Sequence, residues 1–92
     1  MRAVSLRRQR ENRTRRRVVA ALFEAAPWCA RCGNVYPQYR LDAHELLSRA
    51  RGGSITDPAN IRLLCRRCHD WVTTHPTDAL VEGWARPSGG AV

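Results

Sequence analysis

The sequence contains no lysine: all 16 of its basic residues are arginine, set against 8 acidic ones for a formal charge of +8. It has one Phe, two Tyr and three Trp, and few long aliphatic side chains. A chain of 92 residues buries only about 60% of the surface its unfolded form exposes. With so little bulky apolar material, a brace beyond the hydrophobic core is expected. The length excludes a two-domain enzyme and a fold that encloses a large ligand. No apolar run comes near the roughly 20 residues needed to span a bilayer, which excludes a transmembrane helix. A secretory leader needs a basic start and then roughly 7–15 apolar residues. The nearest match, Val18 to Phe23, stops at Glu24 and reads as part of a helix, so a cytoplasmic protein is expected.

What the chain does have is charge gathered at one end. Arg2, Arg7, Arg8, Arg10, Arg13, Arg15, Arg16 and Arg17 are opposed only by Glu11, giving +7 for residues 1–17 and +1 for residues 18–92. Coding bias explains arginine in place of lysine, but not eight of them in 17 positions. Residues 1–13 lack apolar periodicity and read as a solvated arm or a frayed helical extension, ordered against a partner. An arm of this kind displaces condensed counterions from a nucleic-acid backbone, and guanidinium forks match phosphate oxygens. DNA is therefore the expected partner, with no amphipathic lipid face to suggest a membrane.

Beyond the arm, Thr14 to Ala26 carries apolar residues near helical spacing and ends at Pro27. Trp28 to Asn34 reads as a tight turn with Gly33 at its positive-φ position. Tyr39 to His44 reads as a short strand, Ser48 to Asn60 as a loop, and Ile61 to Leu64 as a second strand. Cys68 to His75 reads as a helix closed by Pro76, followed by a last short helix from Thr77 to Trp84. The domain boundaries are thus an arm over residues 1–17, a folded unit over 18–85 and a disordered tail over 86–92.

Four cysteines supply the expected brace. Cys29 and Cys32 form one CxxC turn, and Cys65 and Cys68 a second. Disulfides suit an oxidising compartment, and a redox CxxC needs only one pair beside a βαβ unit that is not in evidence here. Two CxxC turns suit four thiolates around a tetrahedral zinc ion, at bonds of about 2.3 Å. The 32 residues between the pairs exceed the spacing of a simple zinc ribbon, so the ion clamps the two ends of an inserted unit. Such a site is closed, so chemistry is sought elsewhere.

The inserted unit carries His44-Glu45, then Gly52-Gly53, then Asn60-Ile61, and His69 directly after Cys68. In this order and spacing the stretch from Cys29 to His75 resembles the HNH endonucleases, in the zinc-braced branch common among small phage and prophage proteins. The resemblance implies an α+β fold: a small zinc-stabilised ββα-metal (His-Me finger) core, here with an N-terminal helix and a basic arm. It implies a metal-dependent DNA endonuclease of low sequence specificity that leaves 5′-phosphate ends. The implied cofactors are a structural Zn²⁺ and a catalytic divalent metal, Mg²⁺, Mn²⁺, Ni²⁺ or Zn²⁺. By analogy it also implies action beside a phage packaging terminase in the host cytoplasm. The rival readings are a non-catalytic zinc-ribbon DNA-binding module and an accessory subunit of a larger nuclease complex.

Carried onto this sequence, the resemblance makes His44 and His69 metal ligands, puts Glu45 at the position where the family usually has a basic His, and makes Asn60 the residue that fixes the base or binds metal. Arg49, Arg51 and Arg62 flank this site as candidate phosphate contacts. Two positions depart from the pattern, since Glu45 replaces the His and Thr73 stands where a further helix His is common. Either Glu45 takes the base's role, or His44 does so with metal on Glu45, Asp42 and His69, or the site binds DNA without cutting it. His75 does not substitute for Thr73, because six residues rotate about 600° around a helix, roughly 120° off the face of His69. Its expected place is the helix C-terminus, facing the dipole. Arg66 and Arg67, within the second CxxC, are expected to screen the thiolates.

Overall fold

Ser5 caps the first helix: its hydroxyl accepts from the Arg8 backbone N–H at 3.1 Å. From there α1 runs Leu6–Ala25 without interruption in a computed structural model that describes residues 5–87. The helix expected from Thr14 thus begins two turns earlier. Arginine, glutamine and glutamate are good helix formers, and the Ser5 cap lies outside any apolar pattern. One face of α1, through Val19, Leu22 and Phe23, packs on the core. Arg2 and the tail residues 88–92 lie outside the described residues. Arg86, placed at the start of the tail, donates its backbone N–H to the Leu46 carbonyl at 2.8 Å.

Two strands, β1 (Leu41–Glu45) and β2 (Ile61–Cys65), pair antiparallel with Leu41 opposite Cys65 and Glu45 opposite Ile61. β2 passes directly into α2 (Arg66–Thr74), and α3 (Pro76–Glu82) follows with Gly83 at φ 89° closing it. Element order and type agree with the sequence reading; apart from the start of α1, the boundaries fall within about two residues of those expected, and β2 begins at Ile61 as read. The expected loop between the strands also holds 3₁₀ turns at Arg49–Arg51 and Pro58–Asn60. Among the described residues, no helix is long and apolar enough to cross a membrane.

The core is as small as the composition demands. Leu41, Leu63, Leu64, Val72 and Ala79 are buried together with Cys29, Cys65 and Cys68. Three of the four cysteines therefore belong to the hydrophobic core itself. Strand alternation sends Asp42 and His44 to the α2 side of the sheet, and Ala43 and Glu45 to the α1 side. The contacts agree: Asp42 meets His69 on α2, and Glu45 meets Arg15 on α1.

Candidate functional site

The first CxxC is a backbone knuckle. The Cys29 N–H donates to the Asn34 carbonyl and the Gly33 N–H to the Cys29 carbonyl, both at 2.9 Å, with Gly33 at φ 78°. The Ala30 N–H reaches the Leu63 carbonyl at 2.8 Å, fastening the knuckle to β2. The second CxxC spans the end of β2 and the first turn of α2. Their four sulfur atoms all lie within 4.8 Å of one another, and the Cys32 and Cys65 sulfurs are 3.9 Å apart. Zn–S bonds of about 2.3 Å in a tetrahedron place sulfurs about 3.8 Å apart. The four cysteines therefore form a site that fits a zinc ion.

The thiols share charge unequally. Burial pushes Cys29 up, but backbone N–H groups of Cys32, Cys65 and Arg31 outweigh it and bring the thiol down to about 6. Burial pushes Cys68 up to about 12, with the neighbouring Cys65 and Cys29 adding to the rise and the Arg31 guanidinium opposing it. Arg31 donates to the Cys68 sulfur at 3.7 Å, pairs with Glu82 at 3.3 Å and lies 3.7 Å over the Trp71 ring. The arginine that touches a thiol is thus Arg31, from the first CxxC. Arg66 instead pairs with Asp42 and Asp70.

Because His69 directly follows Cys68, the cysteine cluster fixes the turn of α2 that presents it. Its ring lies 5.3 Å from that of His44, centroid to centroid, in an edge-on arrangement. His69 Nδ1 is 3.0 Å from Asp42 Oδ2, and His44 Nε2 is 2.6 Å from the Trp84 carbonyl oxygen. A carbonyl only accepts, so His44 donates from Nε2 and keeps its lone pair on Nδ1. Two imidazoles this close, each with one nitrogen tied back to the protein, are donors that would suit a divalent cation. Among the described residues, the cysteines are the one group of three or more His, Cys, Asp or Glu side chains close enough to hold a metal by themselves.

Glu45 leaves that pair. Its carboxylate is held at 3.0 Å by Arg15, whose guanidinium also donates to the carbonyls of Ile55 at 2.9 Å and Ala43 at 3.3 Å. Glu45 and His44 nevertheless border one cleft of about 670 Å³, together with Arg51, Thr73 and Arg86. The Thr73 hydroxyl is turned back onto its own helix, donating to the Asp70 carbonyl at 3.0 Å. His75 caps α2 as expected, its Nδ1 donating to the Trp71 carbonyl at 2.9 Å.

Asn60 is buried and makes no contact with either histidine among its hydrogen bonds. Its amide donates to the carbonyls of Leu47 at 2.9 Å and Ser54 at 2.8 Å, and its oxygen accepts from the Leu47 N–H at 3.0 Å. The Leu46 N–H bonds its backbone carbonyl at 2.9 Å. Asn60 thereby holds the chain immediately after His44-Glu45. Gly53 is required in the same loop, since a Cβ there would lie 1.8 Å from the Leu47 carbonyl oxygen. Replacing Asn60 by alanine strands three backbone groups, and a loss of about 3 kcal/mol in urea unfolding is expected. A loss under about 0.5 kcal/mol would show that the loop holds without it.

The candidate phosphate contacts divide into two groups. Arg15 is committed to Glu45, Arg49 pairs with Glu11 at 2.8 Å, and Arg62 donates to the carbonyls of Ala59 and Ile61. Arg7, Arg8, Arg10, Arg13, Arg16 and Arg17 are exposed along α1, and Arg51 is exposed where it lines the cleft. Arg10, Arg13 and Arg17 fall within about 60° of one another on the side of the helix opposite its core-facing residues.

The sequence reading missed the Trp84 carbonyl, which has no side-chain signature, and the structural tie made by Arg15. It named Asp42 only as an alternative ligand, although the Asp42-x-His44 alternation places both on the α2 side of the strand. The HNH endonuclease family model matches residues 29–74. That is half of the chain, and it covers the two CxxC turns, both strands and α2. The chain belongs to the HNH endonuclease family. Neither the curated proteins nor the solved structures include a match.

Proposed function

We propose that the protein is a metal-dependent endonuclease that hydrolyses phosphodiester bonds in DNA with little sequence preference. The observation that carries this reading is the His44–His69 pair, 5.3 Å apart on facing elements, with His44 also bordering a cleft lined by Arg51 and Arg86. His44 Nδ1 and His69 Nε2 are the two protein nitrogens that would hold the divalent cation. When bound, that cation supplies charge to the phosphoryl oxygens and to the departing 3′ oxygen. Glu45 sits in the base position beside the same cleft, oriented by Arg15, and accepts the proton of the attacking water. The water oxygen bonds to phosphorus as the P–O3′ bond breaks, and the departing oxygen takes a proton from solvent water, leaving a 5′-phosphate and a 3′-hydroxyl. A zinc ion on the four cysteines serves as the staple that keeps His69 in place.

The chemistry of the ends tests this route. Nicks made in a plasmid should be resealed by DNA ligase without prior treatment, because ligase needs a 5′-phosphate beside a 3′-hydroxyl. Nicks that ligase leaves open, or closes only after end repair, would contradict the proposed bond breakage.

The outward stripe of α1 grips the phosphate backbone in this reading. Exchanging Arg10, Arg13 and Arg17 for glutamine is expected to lower the log–log salt slope of DNA binding by about 2.5. An unchanged slope would remove the stripe from the interface.

One observation favours a second reading, a zinc-braced DNA-binding module or accessory subunit. Thr73 adds no third imidazole, and its hydroxyl is bound to its own helix. A wild-type protein that binds DNA, holds zinc and cuts with none of Mg²⁺, Mn²⁺ or Ni²⁺ would establish that alternative. Cytoplasmic action beside a phage packaging terminase rests on the family resemblance alone, and co-purification of the two proteins from infected cells is its test.

A further inference from the structure

His69 has two ring nitrogens, and only one that keeps a free lone pair is of use to a cation. The ring is about a quarter exposed, and its Nδ1 lies 3.0 Å from Asp42 Oδ2. Asp42 is fixed from both sides. It sits on β1 opposite Leu64, two residues before His44, and Arg66 of α2 approaches the same Oδ2 at 3.5 Å. An ionised carboxylate only accepts, so this contact places the proton of neutral His69 on Nδ1 and the lone pair on Nε2. The carboxylate also restrains rotation of the ring about its side-chain bonds. His44 is set by the Trp84 carbonyl in the complementary sense, with its proton on Nε2. The two rings therefore carry opposite tautomers.

We propose that Asp42 is a positioning residue acting through His69: it selects the Nδ1–H tautomer and aims Nε2 at the cation site. This inference rests on the proposed role of the His44–His69 pair, and it assigns Asp42 a task other than ligation. Arg66 completes a chain from Arg66 to Asp42 to His69. Within it, one of the two residues between Cys65 and Cys68 reaches the second site.

The test uses zinc-loaded, full-length protein with ¹⁵N-labelled histidine, and reads the ring tautomers by long-range ¹H–¹⁵N correlation at a pH where His69 is neutral. Wild-type His69 is expected in the Nδ1–H form and His44 in the Nε2–H form. In Asp42→Ala, His69 loses its tautomer preference, and Mn²⁺ affinity measured by calorimetry falls by about 10–100-fold. Asp42→Asn keeps an acceptor at the same place, so its His69 stays mainly Nδ1–H and its Mn²⁺ affinity lies between the two. A His69 that is Nε2–H in the wild type, or unchanged in Asp42→Ala, overturns the proposal. Should Asp42→Ala fail to fold, the wild-type tautomer and Asp42→Asn decide it. An inactive wild type with Nδ1–H His69 and Asp42-dependent Mn²⁺ binding would overturn the nuclease reading and leave this one standing.

Discussion

Alanine at position 44 is expected to lower DNA cleavage by about 10³-fold or more, with DNA binding and thermal stability largely kept. The magnitude follows from what is removed. In the proposed reading the site offers two imidazole nitrogens, so losing His44 Nδ1 would halve the protein's contribution to holding the cation that stabilises the phosphoryl charge. His44 is partly exposed and lies outside the hydrophobic cluster, so its loss leaves the packing of Leu41, Leu63 and Leu64 intact. Glu45→Gln separates proton transfer from cation binding. It should cost about 10²-fold in rate while Mn²⁺ affinity changes little, since its carboxylate is held by Arg15 rather than by either histidine. Stopped-flow or gel kinetics on a labelled duplex, with calorimetry on the same samples, reads both quantities. A His44→Ala protein that cuts within tenfold of wild type would place the chemistry elsewhere.

Removing zinc should unfold the domain. Structural zinc contributes on the order of 10–16 kcal/mol of apparent binding energy in small domains, more than a typical domain's entire stability. Here Cys29, Cys65 and Cys68 are buried within the core cluster, so the coordination site and the hydrophobic centre are one region. Chelation, or Cys65→Ser, is expected to abolish the cooperative thermal transition and the near-ultraviolet signal of the tryptophans. Acid should act in the same direction. With Cys68 pushed up to about 12 and Cys29 down to about 6, zinc loading at neutral pH releases the Cys68 proton. Below about 6 the Cys29 proton must leave as well, so affinity weakens further as pH falls. Calorimetry in buffers of different ionisation enthalpy counts the protons released. A cooperative melt retained after complete chelation would contradict the staple.

These two results address different levels of one arrangement, and the sequence reveals those levels unequally. Cysteine spacing is chemical information written directly in the chain: two CxxC turns imply a shared ion, and the structure brings all four sulfurs within 4.8 Å. The two strands and the helix, which carry His44 and His69 and follow directly on Asn60, were legible because their apolar residues alternate or recur with the right period. The helix start at Leu6 was not, because the first turns of α1 are arginine and glutamine and have no buried face. Hydrogen bonds to backbone atoms were equally hidden. Nothing in the letters around Trp84 says that its carbonyl meets His44, and nothing about Asn60 says that it holds Leu47 and Ser54 instead of a histidine. Arg15 was misleading for a physical reason. Within a run of arginines its charge suggested phosphate, while helical rotation turned it inward to Glu45 and away from Arg10, Arg13 and Arg17.

The charge asymmetry acquires a structural meaning from the same geometry. Four thiolates and one Zn²⁺ carry a net −2, which takes residues 18–92 from a formal +1 to about −1. The excess positive charge of the protein then lies almost wholly along α1. The sheet separates α1 from α2, with Glu45 and Arg15 on one side and Asp42, His44 and His69 on the other. In the proposed reading, the histidine pair meets the scissile phosphate.

The most direct test of that reading is supercoiled plasmid incubated with zinc-loaded protein and Mn²⁺, Mg²⁺ or Ni²⁺, with His69→Ala as the paired control. Conversion to open-circular or linear plasmid by the wild type, dependent on the added metal and lost in His69→Ala, is the predicted result. Plasmid left supercoiled by wild type with every metal, or cut equally by His69→Ala, would contradict it.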